Sequence, residues 1–241
     1  MRPTEWLRVG WVNARNLGHW ARDYWWAGLR LAGGAASWLL REDPADWQEA
    51  GAGTGIPVVL IPGVYETWRM MRPVASALRR AGHPVHVVRS IRLNNRDLAT
   101  EAARVAAYVM ARPGLDRFAV VAHSKGGLVG KALLLDPAIG PRIAVVVTIA
   151  TPFAGSSWAD FAVPGIGIRS LGPRSRDVRR LAAEARANRR IVALIPRWDP
   201  HIPDQSEVPG GRNIPLRAAG HFAPLGSAEV HRHVLAAVAA A

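Results

Sequence analysis

Short apolar runs alternate with amphipathic stretches along the chain from about residue 57 onward. The runs are rich in β-branched residues and have the length of buried strands, whereas the stretches between them repeat their apolar residues at a helical period. The runs predict strands at 57–62, 84–89, 117–122, 143–149, 190–196 and 213–217. The stretches predict helices at 66–81, 96–111, 125–135, 176–189 and 227–240. Strand–helix alternation with short connections predicts an α/β domain whose mostly parallel, doubly wound sheet carries helices on both faces.

One segment interrupts this alternation. Residues 152–175 are rich in Gly, Pro and Ser, and the stretch from Arg169 to Arg190 holds eight arginines. We interpret about 152–189 as a cap or lid insertion, with Trp158, Phe161 and Ile166 available to line a substrate pocket. The arginines are more simply the solvated face of a helix, and a lid with a functional charge is the alternative.

The first fifty residues differ from the rest and hold seven of the ten tryptophans. A stripe at helical spacing runs through them, formed by Leu17, Trp20, Tyr24, Ala27, Leu31, Ala35 and Trp38. We divide the chain into a tryptophan-rich helical arm at 1–50 and a domain at 51–241. The arm either packs on the domain or lies in a membrane interface through residues 1–40. Because the predicted strands and the loops that follow them lie at or beyond residue 57, deletion of 1–40 is expected to leave the domain and any site in it formed.

Composition excludes several classes of protein. The 241-residue chain has 49% hydrophobic and 20% charged residues, which is typical of a globular domain. It contains no cysteine, so it has neither disulfides nor a thiolate metal site, and no Cys/His cluster indicates a metal or another cofactor. Arg22, Asp23 and Arg30 interrupt the apolar start, which argues against a signal peptide. The sequence predicts a cytoplasmic protein, with peripheral membrane contact as the alternative, and leaves its oligomeric state open.

The net charge of +13 resides wholly in residues 51–241, because the first fifty residues hold six basic and six acidic side chains. Such a field attracts anionic lipid, nucleic acid or acidic substrates. The domain lacks a recognition-helix motif and any interleaving of aromatic and basic residues, so we expect no nucleic-acid partner.

The segment 120–127, Val-Val-Ala-His-Ser-Lys-Gly-Gly, has the pattern of a nucleophile elbow. It follows a predicted buried strand and opens a predicted helix. A serine on so sharp a turn adopts a strained backbone, and small neighbours are needed because the chain crowds together there. The turn exposes the Ser124 hydroxyl and directs the N–H of Lys125, at a helix N-terminus, toward a developing oxyanion.

Three other segments of the chain could complete such a site: a loop before Ser124, an aspartate after it, and a histidine nearer the end of the chain. Pro62-Gly63-Val64 ends an apolar strand; Gly63 would permit close approach to the serine, and the N–H of Val64 is the expected second oxyanion donor. Asp199 follows another strand and could orient a histidine, with Asp204 as its rival.

His221 is the predicted base among eight histidines. It follows the short strand that ends near Leu216 and precedes the last predicted helix. His201, close to Asp199, is its competitor. His123 adjoins Ser124, but strand alternation predicts that its ring points away from the site.

These residues resemble the α/β-hydrolase superfamily, specifically its lipase and esterase branch. The order Ser124, Asp199, His221 matches the family order of nucleophile, acid and base. Pro62-Gly63-Val64 is similar to a lipase oxyanion loop, Asp-x-x-Ile-Pro at 199–203 looks like the acid loop, and 148–156 resembles the lipase segment after the elbow. The resemblance covers roughly 55–241 and implies a minimal sheet, because no clear strand pair precedes Val58. Lys125 departs from the family pattern and would place a cation near the acyl site.

The expected function is therefore hydrolysis of a small-molecule or lipid acyl ester through a Ser124–His221–Asp199 triad and an acyl-enzyme. A thioesterase or acyltransferase would use the same residues. A non-catalytic ligand-binding protein on the same scaffold is the alternative from another class.

Overall fold

A computed structural model describes residues 16–39, 53–160, 166–203 and 207–241. Six strands form one sheet in the order β2-β1-β3-β4-β5-β6, and every neighbouring pair is parallel. Their bounds are β1 Val58–Ile61, β2 Val85–Val87, β3 Phe118–His123, β4 Ile143–Ile149, β5 Ile191–Ile195 and β6 Arg212–Pro215. The predicted fold class is confirmed, and within the described residues no strand precedes β1.

Seven helices accompany the sheet in the described part of the chain: α1 Leu17–Leu39, α2 Arg72–Arg80, α3 Leu98–Met110, α4 Lys125–Leu134, the single turn α5 Ile166–Arg169, α6 Arg176–Ala183 and α7 Ala228–Ala239. The helix predicted at 66–81 is shorter, because a 3₁₀ turn at Trp68–Met71 precedes α2. Pro73 lies in the first turn of α2, where its missing N–H costs no helical hydrogen bond. The helix predicted at 176–189 is likewise divided into α6 and a 3₁₀ turn at Arg186–Arg190.

The sheet has a separate apolar core on each face. In β3, Phe118, Val120 and Ala122 face the core shared with α3, α4 and α6, whereas Ala119 and Val121 face the core shared with α2 and α7. This alternation follows from the period of two residues along a strand. Central strands that are buried on both faces read as continuous apolar runs, which is why the sequence predicts them well.

Helix α1 packs beside the 3₁₀ turns at Trp68–Met71 and Ala223–Gly226. Its buried side centres on Asp23 and Ala27, whereas Leu17 is 65% exposed, Trp25 70% and Leu29 56%. The buried side of α1 therefore combines Ala27 of the predicted stripe with Asp23, which finds backbone hydrogen-bond partners on the domain, whereas Leu17, Trp20 and Tyr24 of the stripe are exposed. No helix in the described ranges combines the length and hydropathy needed to cross a bilayer.

Candidate active site

Ser124 lies between β3 and α4 with φ 51° and ψ −124°. A positive φ is unfavourable for a residue with a Cβ and persists only where surrounding contacts impose it. The N–H of Ser124 donates to the carbonyl of Ile149 (2.9 Å), and the Thr151 hydroxyl donates to the carbonyl of Ser124 (2.9 Å). Both partners belong to β4 or its end, so the neighbouring strand holds the serine in its strained conformation.

Two glycines make this turn sterically feasible. A Cβ on Gly126 would lie 2.3 Å from the carbonyl oxygen of Ile61, and a Cβ on Gly127 would lie 2.1 Å from Oγ1 of Thr151. Both distances are far below van der Waals contact, so the small residues predicted for the elbow are required by direct contact with β1 and with the end of β4.

His221 and Asp199 complete a hydrogen-bonded chain from the serine. Nε2 of His221 lies 3.0 Å from Oγ of Ser124, and Nδ1 lies 2.7 Å from Oδ2 of Asp199. Oδ1 of Asp199 accepts the backbone N–H groups of His201 (2.8 Å) and Ile202 (3.2 Å). The three side chains come from loops after β3, β5 and β6, which meet at the carboxyl edge of the parallel sheet.

Electrostatics tune the histidine and its partner in opposite directions. Burial by itself would lower the pKa of His221, but the charge and hydrogen bond of Asp199 outweigh this effect and raise it above the ordinary value. Burial would raise the pKa of Asp199, but interaction with His221 holds that pKa below the usual carboxyl range. Asp199 is therefore a carboxylate that stabilises a protonated His221.

His201, the competing base, lies beside this chain rather than in it. Its ring stacks on His221 at a centroid distance of 4.6 Å, and its Nε2 hydrogen-bonds to the Tyr24 hydroxyl (2.7 Å). Burial, followed by the positive charge on His221, lowers the pKa of His201 to about 3, so the ring is neutral at neutral pH. The structure brings His221 to Ser124 and leaves His201 as part of the surrounding wall.

A second buried pair lies behind His221. Nδ1 of His123 is 2.8 Å from a carboxylate oxygen of Glu66, and its Nε2 donates to the carbonyl of His221 (2.9 Å). The Glu66 carboxylate thus faces a ring nitrogen of His123. Although burial opposes its charge, this contact holds the pKa of Glu66 below its ordinary value. Contrary to the sequence prediction, the His123 ring adjoins the site.

The sequence does not indicate Glu66 as a site residue, because no motif includes it. Its carboxylate also accepts the N–H of Gly63 (2.9 Å), and a Cβ on Gly63 would lie 2.7 Å from that carboxylate. The prediction that Gly63 makes room for the serine is thus corrected: this glycine makes room for Glu66. Ligating atoms of Glu66, His123 and His221 lie within 4.8 Å of one another, but each is engaged in the hydrogen bonds above, so we assign no metal to them.

The two predicted oxyanion donors adjoin the serine in different ways. Lys125 follows Ser124 directly at the start of α4, and Val64 belongs to the loop after β1. Their backbone N–H groups donate to no acceptor within the described ranges, which leaves them available to a ligand. The Asn94 side chain donates to the carbonyl of Pro62 (2.6 Å), and the N–H of Tyr65 donates to the carbonyl of Leu93 (2.6 Å). The loop after β2 thereby braces the segment that carries Val64.

The Lys125 side chain is fully buried, and its Nζ donates to the carbonyls of Asn94 (2.9 Å) and Arg96. Burial lowers the pKa of this amine to about 8. The expectation of a cation near the acyl site is therefore corrected: the ammonium binds the loop after β2 instead.

Solved structures with the same architecture include lipases, esterases, an enol-lactonase and a putative non-heme bromoperoxidase. The mature lipase of Bacillus licheniformis superposes with a TM-score of 0.64 at 14% identity, over 76% of this chain and 92% of that one. A metagenomic carboxyl esterase gives 0.57 at 22% identity, over 79% and 76%. The enol-lactonase of Burkholderia xenovorans gives 0.56 at 17% identity, over 78% and 92%. The chain has the α/β-hydrolase fold. No protein-family model and no curated protein sequence matches it.

The predicted acyl pocket of this α/β-hydrolase domain is described only in part. Trp158 is 51% exposed and stacks beside His201 at a centroid distance of 6.2 Å. Phe161, the side chain of Ile166 and the rival acid Asp204 lie outside the described part of the chain. The division into an arm at 1–50 and a domain at 51–241, with a cap at about 152–189, remains a prediction.

Proposed function

We propose that this protein is a serine hydrolase that cleaves carboxylic esters through an acyl-enzyme. The observation that carries the proposal is the continuous hydrogen-bonded chain from Ser124 through His221 to Asp199, which starts at a strained strand-to-helix turn. Strain at a nucleophile is maintained by the fold and is typical of functional sites. The α/β-hydrolase fold is compatible with this chemistry without specifying it.

In the acylation step, His221 Nε2 removes the Ser124 proton as Oγ attacks the ester carbonyl carbon. The carbonyl π electrons move to oxygen, and the N–H groups of Val64 and Lys125 hold that oxyanion. As the tetrahedral intermediate collapses, the bond to the leaving alkoxide breaks and protonated His221 gives it the proton. Water then attacks the acyl carbon with His221 again as base, and collapse releases the acid and restores the Ser124 hydroxyl.

Apolar side chains around the site favour an acyl ester as substrate. Tyr24, Tyr65, Leu93 and Trp158 are between 38% and 51% exposed, and Tyr24 and Trp158 both flank His201. Such surfaces suit a hydrocarbon chain better than a charged group. A thioesterase or an acyltransferase would use the same triad with a thiol ester or with an alcohol in place of water.

The alternative from another class is a ligand-binding protein that performs no chemistry. A complete nucleophile, base and acid in hydrogen-bond contact argues against it. Labelling with a fluorophosphonate discriminates the two. We expect covalent modification of Ser124 in the full chain and none in Ser124→Ala, with a p-nitrophenyl ester series from acetate to palmitate defining chain length. Absence of labelling and of turnover in the wild type would favour the binding protein.

We also propose that α1 contacts an anionic lipid surface at the periphery. Its solvent side presents Trp25 and Leu29 beside the exposed Arg22 and Arg30, a combination that suits an interface between head groups and acyl chains. We expect flotation with anionic vesicles, weakened in the double variant Trp25→Ser, Leu29→Ser. Equal flotation of the two proteins would contradict this contact.

A further inference from the structure

Helix α1 reaches the loops that carry the proposed acid and base. The Tyr24 hydroxyl hydrogen-bonds to His201, and the Arg197 guanidinium donates to Nε2 of His19 at 3.0 Å. Both contacts join α1 to the loop that follows β5, about 177 residues further along the chain. The helix therefore forms part of the wall of the candidate site, although the sequence suggested a separable arm.

Asp23 makes three further contacts of this kind, and it is fully buried. Its Oδ2 accepts the N–H of His221 at 2.9 Å, and its Oδ1 accepts the N–H groups of Phe222 and Ala223 at 2.8 and 2.7 Å. Hydrogen bonds to an ionised acceptor are roughly twice as strong as neutral ones. One carboxylate from α1 thus captures three consecutive amides of the loop that holds the triad histidine.

The loop is shaped to receive this carboxylate. Gly220 precedes His221 at φ 109°, a conformation that favours glycine. A Cβ at Gly220 would lie 2.3 Å from Oδ1 of Asp23, so any other residue would collide with the carboxylate. Further along, a Cβ on Gly226 would lie 2.8 Å from Nε1 of Trp26. Gly220 and Gly226 therefore leave room for two side chains of α1, those of Asp23 and Trp26.

We propose that Asp23 is a positioning residue for the reaction: it fixes the backbone of residues 221–223 so that the His221 ring bridges Ser124 and Asp199. The inference rests on the proposed function. It also makes α1 an integral part of the active site, so deletion of residues 1–40 is expected to impair the site, in contrast to the expectation from sequence.

Loss of the Asp23 carboxylate would affect the three backbone N–H groups that it accepts. Three N–H groups would lose their partner at once, and buried donors without acceptors are unfavourable. The loop would move to find water or another acceptor, and the His221 ring would move with it. A displacement of about 1 Å at a reacting group can cost about 10²-fold in rate. Substrate binding makes no direct use of Asp23, so KM would change little.

The first test uses Asp23→Asn, which keeps the shape but loses the charge and places an amide group against N–H donors. Asp136→Asn is the matched control, because Asp136 also accepts two backbone N–H groups (Ala138 and Ile139) but lies at the far end of α4. Rates are normalised to the Ser124 labelled by fluorophosphonate. We expect kcat to fall about 10²-fold in Asp23→Asn with KM nearly unchanged, and no change in Asp136→Asn. An unchanged kcat per labelled site would overturn the proposal.

A second readout does not depend on turnover. Asp23 is one of the negative charges that raise the pKa of His221. Titration of the His221 ring by NMR, assigned by its loss in His221→Gln, should give a lower pKa in Asp23→Asn than in the wild type. An equal pKa in the two proteins counts against positioning by Asp23. A wild type without ester turnover but with this shift would reject the proposed function alone.

Chemical rescue covers the case in which the amide variant does not fold. Asp23→Ala leaves a small space beside three amides, and formate supplies a carboxylate of the right size. We expect saturable recovery of activity by formate in Asp23→Ala and none in Asp136→Ala. If formate affects the two variants equally, the carboxylate at position 23 is not the positioning group.

Discussion

The proposed nucleophile and the proposed base of this site are built in contrasting ways. Ser124 is held by its own strand and helix, by the end of β4, and by two glycines that follow it in sequence. His221 sits in a loop whose amides bind Asp23, 198 residues earlier in the chain, and whose carbonyl binds His123. The elbow is therefore a local structure on a rigid sheet, whereas the base depends on contacts between distant segments.

This difference has an energetic meaning. The elbow uses the sheet's hydrogen bonds and packing, so its geometry survives as long as the sheet does. The base loop relies on buried charges, Asp23 on one side and the Glu66–His123 pair on the other. Buried charges are costly when one partner is removed. Removal of the Ser124 hydroxyl should thus act on chemistry alone, while changes around His221 should couple activity to stability.

The largest expected effect is at Ser124, in the elbow. Ser124→Ala should lower kcat by on the order of 10⁶-fold with an unchanged melting temperature, because only the attacking atom is removed. Ser175→Ala is the control, since this serine is the N-cap residue of α6 and its side chain makes no capping hydrogen bond. Activity is followed with a p-nitrophenyl ester and folding by circular dichroism. Turnover retained in Ser124→Ala would exclude the serine mechanism.

On the side of the base, Asp199→Asn should reduce kcat by about 10³–10⁴-fold, because the amide favours the wrong tautomer of His221. Asp116→Asn provides a matched change, since the Asp116 side chain is 88% exposed and pairs with Arg142 at the surface. Steady-state kinetics on both variants measures the effect. A loss no larger than that of the control would mean that another acid serves His221.

The Glu66–His123 pair tests the coupling to stability. Glu66→Gln removes the carboxylate that contacts the buried His123 ring, and we expect the free energy of unfolding to fall by about 1.5–3 kcal/mol, the range for hydrogen bonds to a charged group. Glu184→Gln, at an exposed position after α6, should be neutral. Urea unfolding of the three proteins gives the comparison. If Glu66→Gln is as stable as the wild type, the pair does not support the base loop in the way we describe.

The smallest expected effect is a shift in pH dependence. His221 acts as a base only when neutral, and its pKa is raised by Asp199, so kcat/KM should fall on the acid side with a midpoint above about 6.5. Removing the Asp199 charge lowers that pKa, so the acid limb of Asp199→Asn should move to lower pH. Measurement of kcat/KM between pH 4 and 9 for both proteins tests this shift of the acid limb. A limb that moves to higher pH, or not at all, contradicts this assignment of charges.

The amino-acid sequence predicts some features of this protein and not others, and particular elements show the reason. It predicted β3 and β4 because strands buried on both faces are continuously apolar. It did not indicate that Asp23 of α1 is buried, since amphipathicity marks apolar residues and a single aspartate carries no apolar signal. It directed Lys125 toward the acyl site, although its amine found two carbonyls on the loop after β2.

The amino-acid sequence by itself determined the alternation of strands and helices, the parallel α/β class and the elbow around Ser124. These depend on periodicity and on small residues at fixed spacing, which are local properties of the chain. Only the tertiary structure decided that His221 rather than His201 meets Ser124, that His123 is paired with Glu66, and that Asp23 holds the base loop. Each of these is a hydrogen bond between segments far apart in sequence, and the partner of a buried polar group depends on which loops the folded sheet brings together.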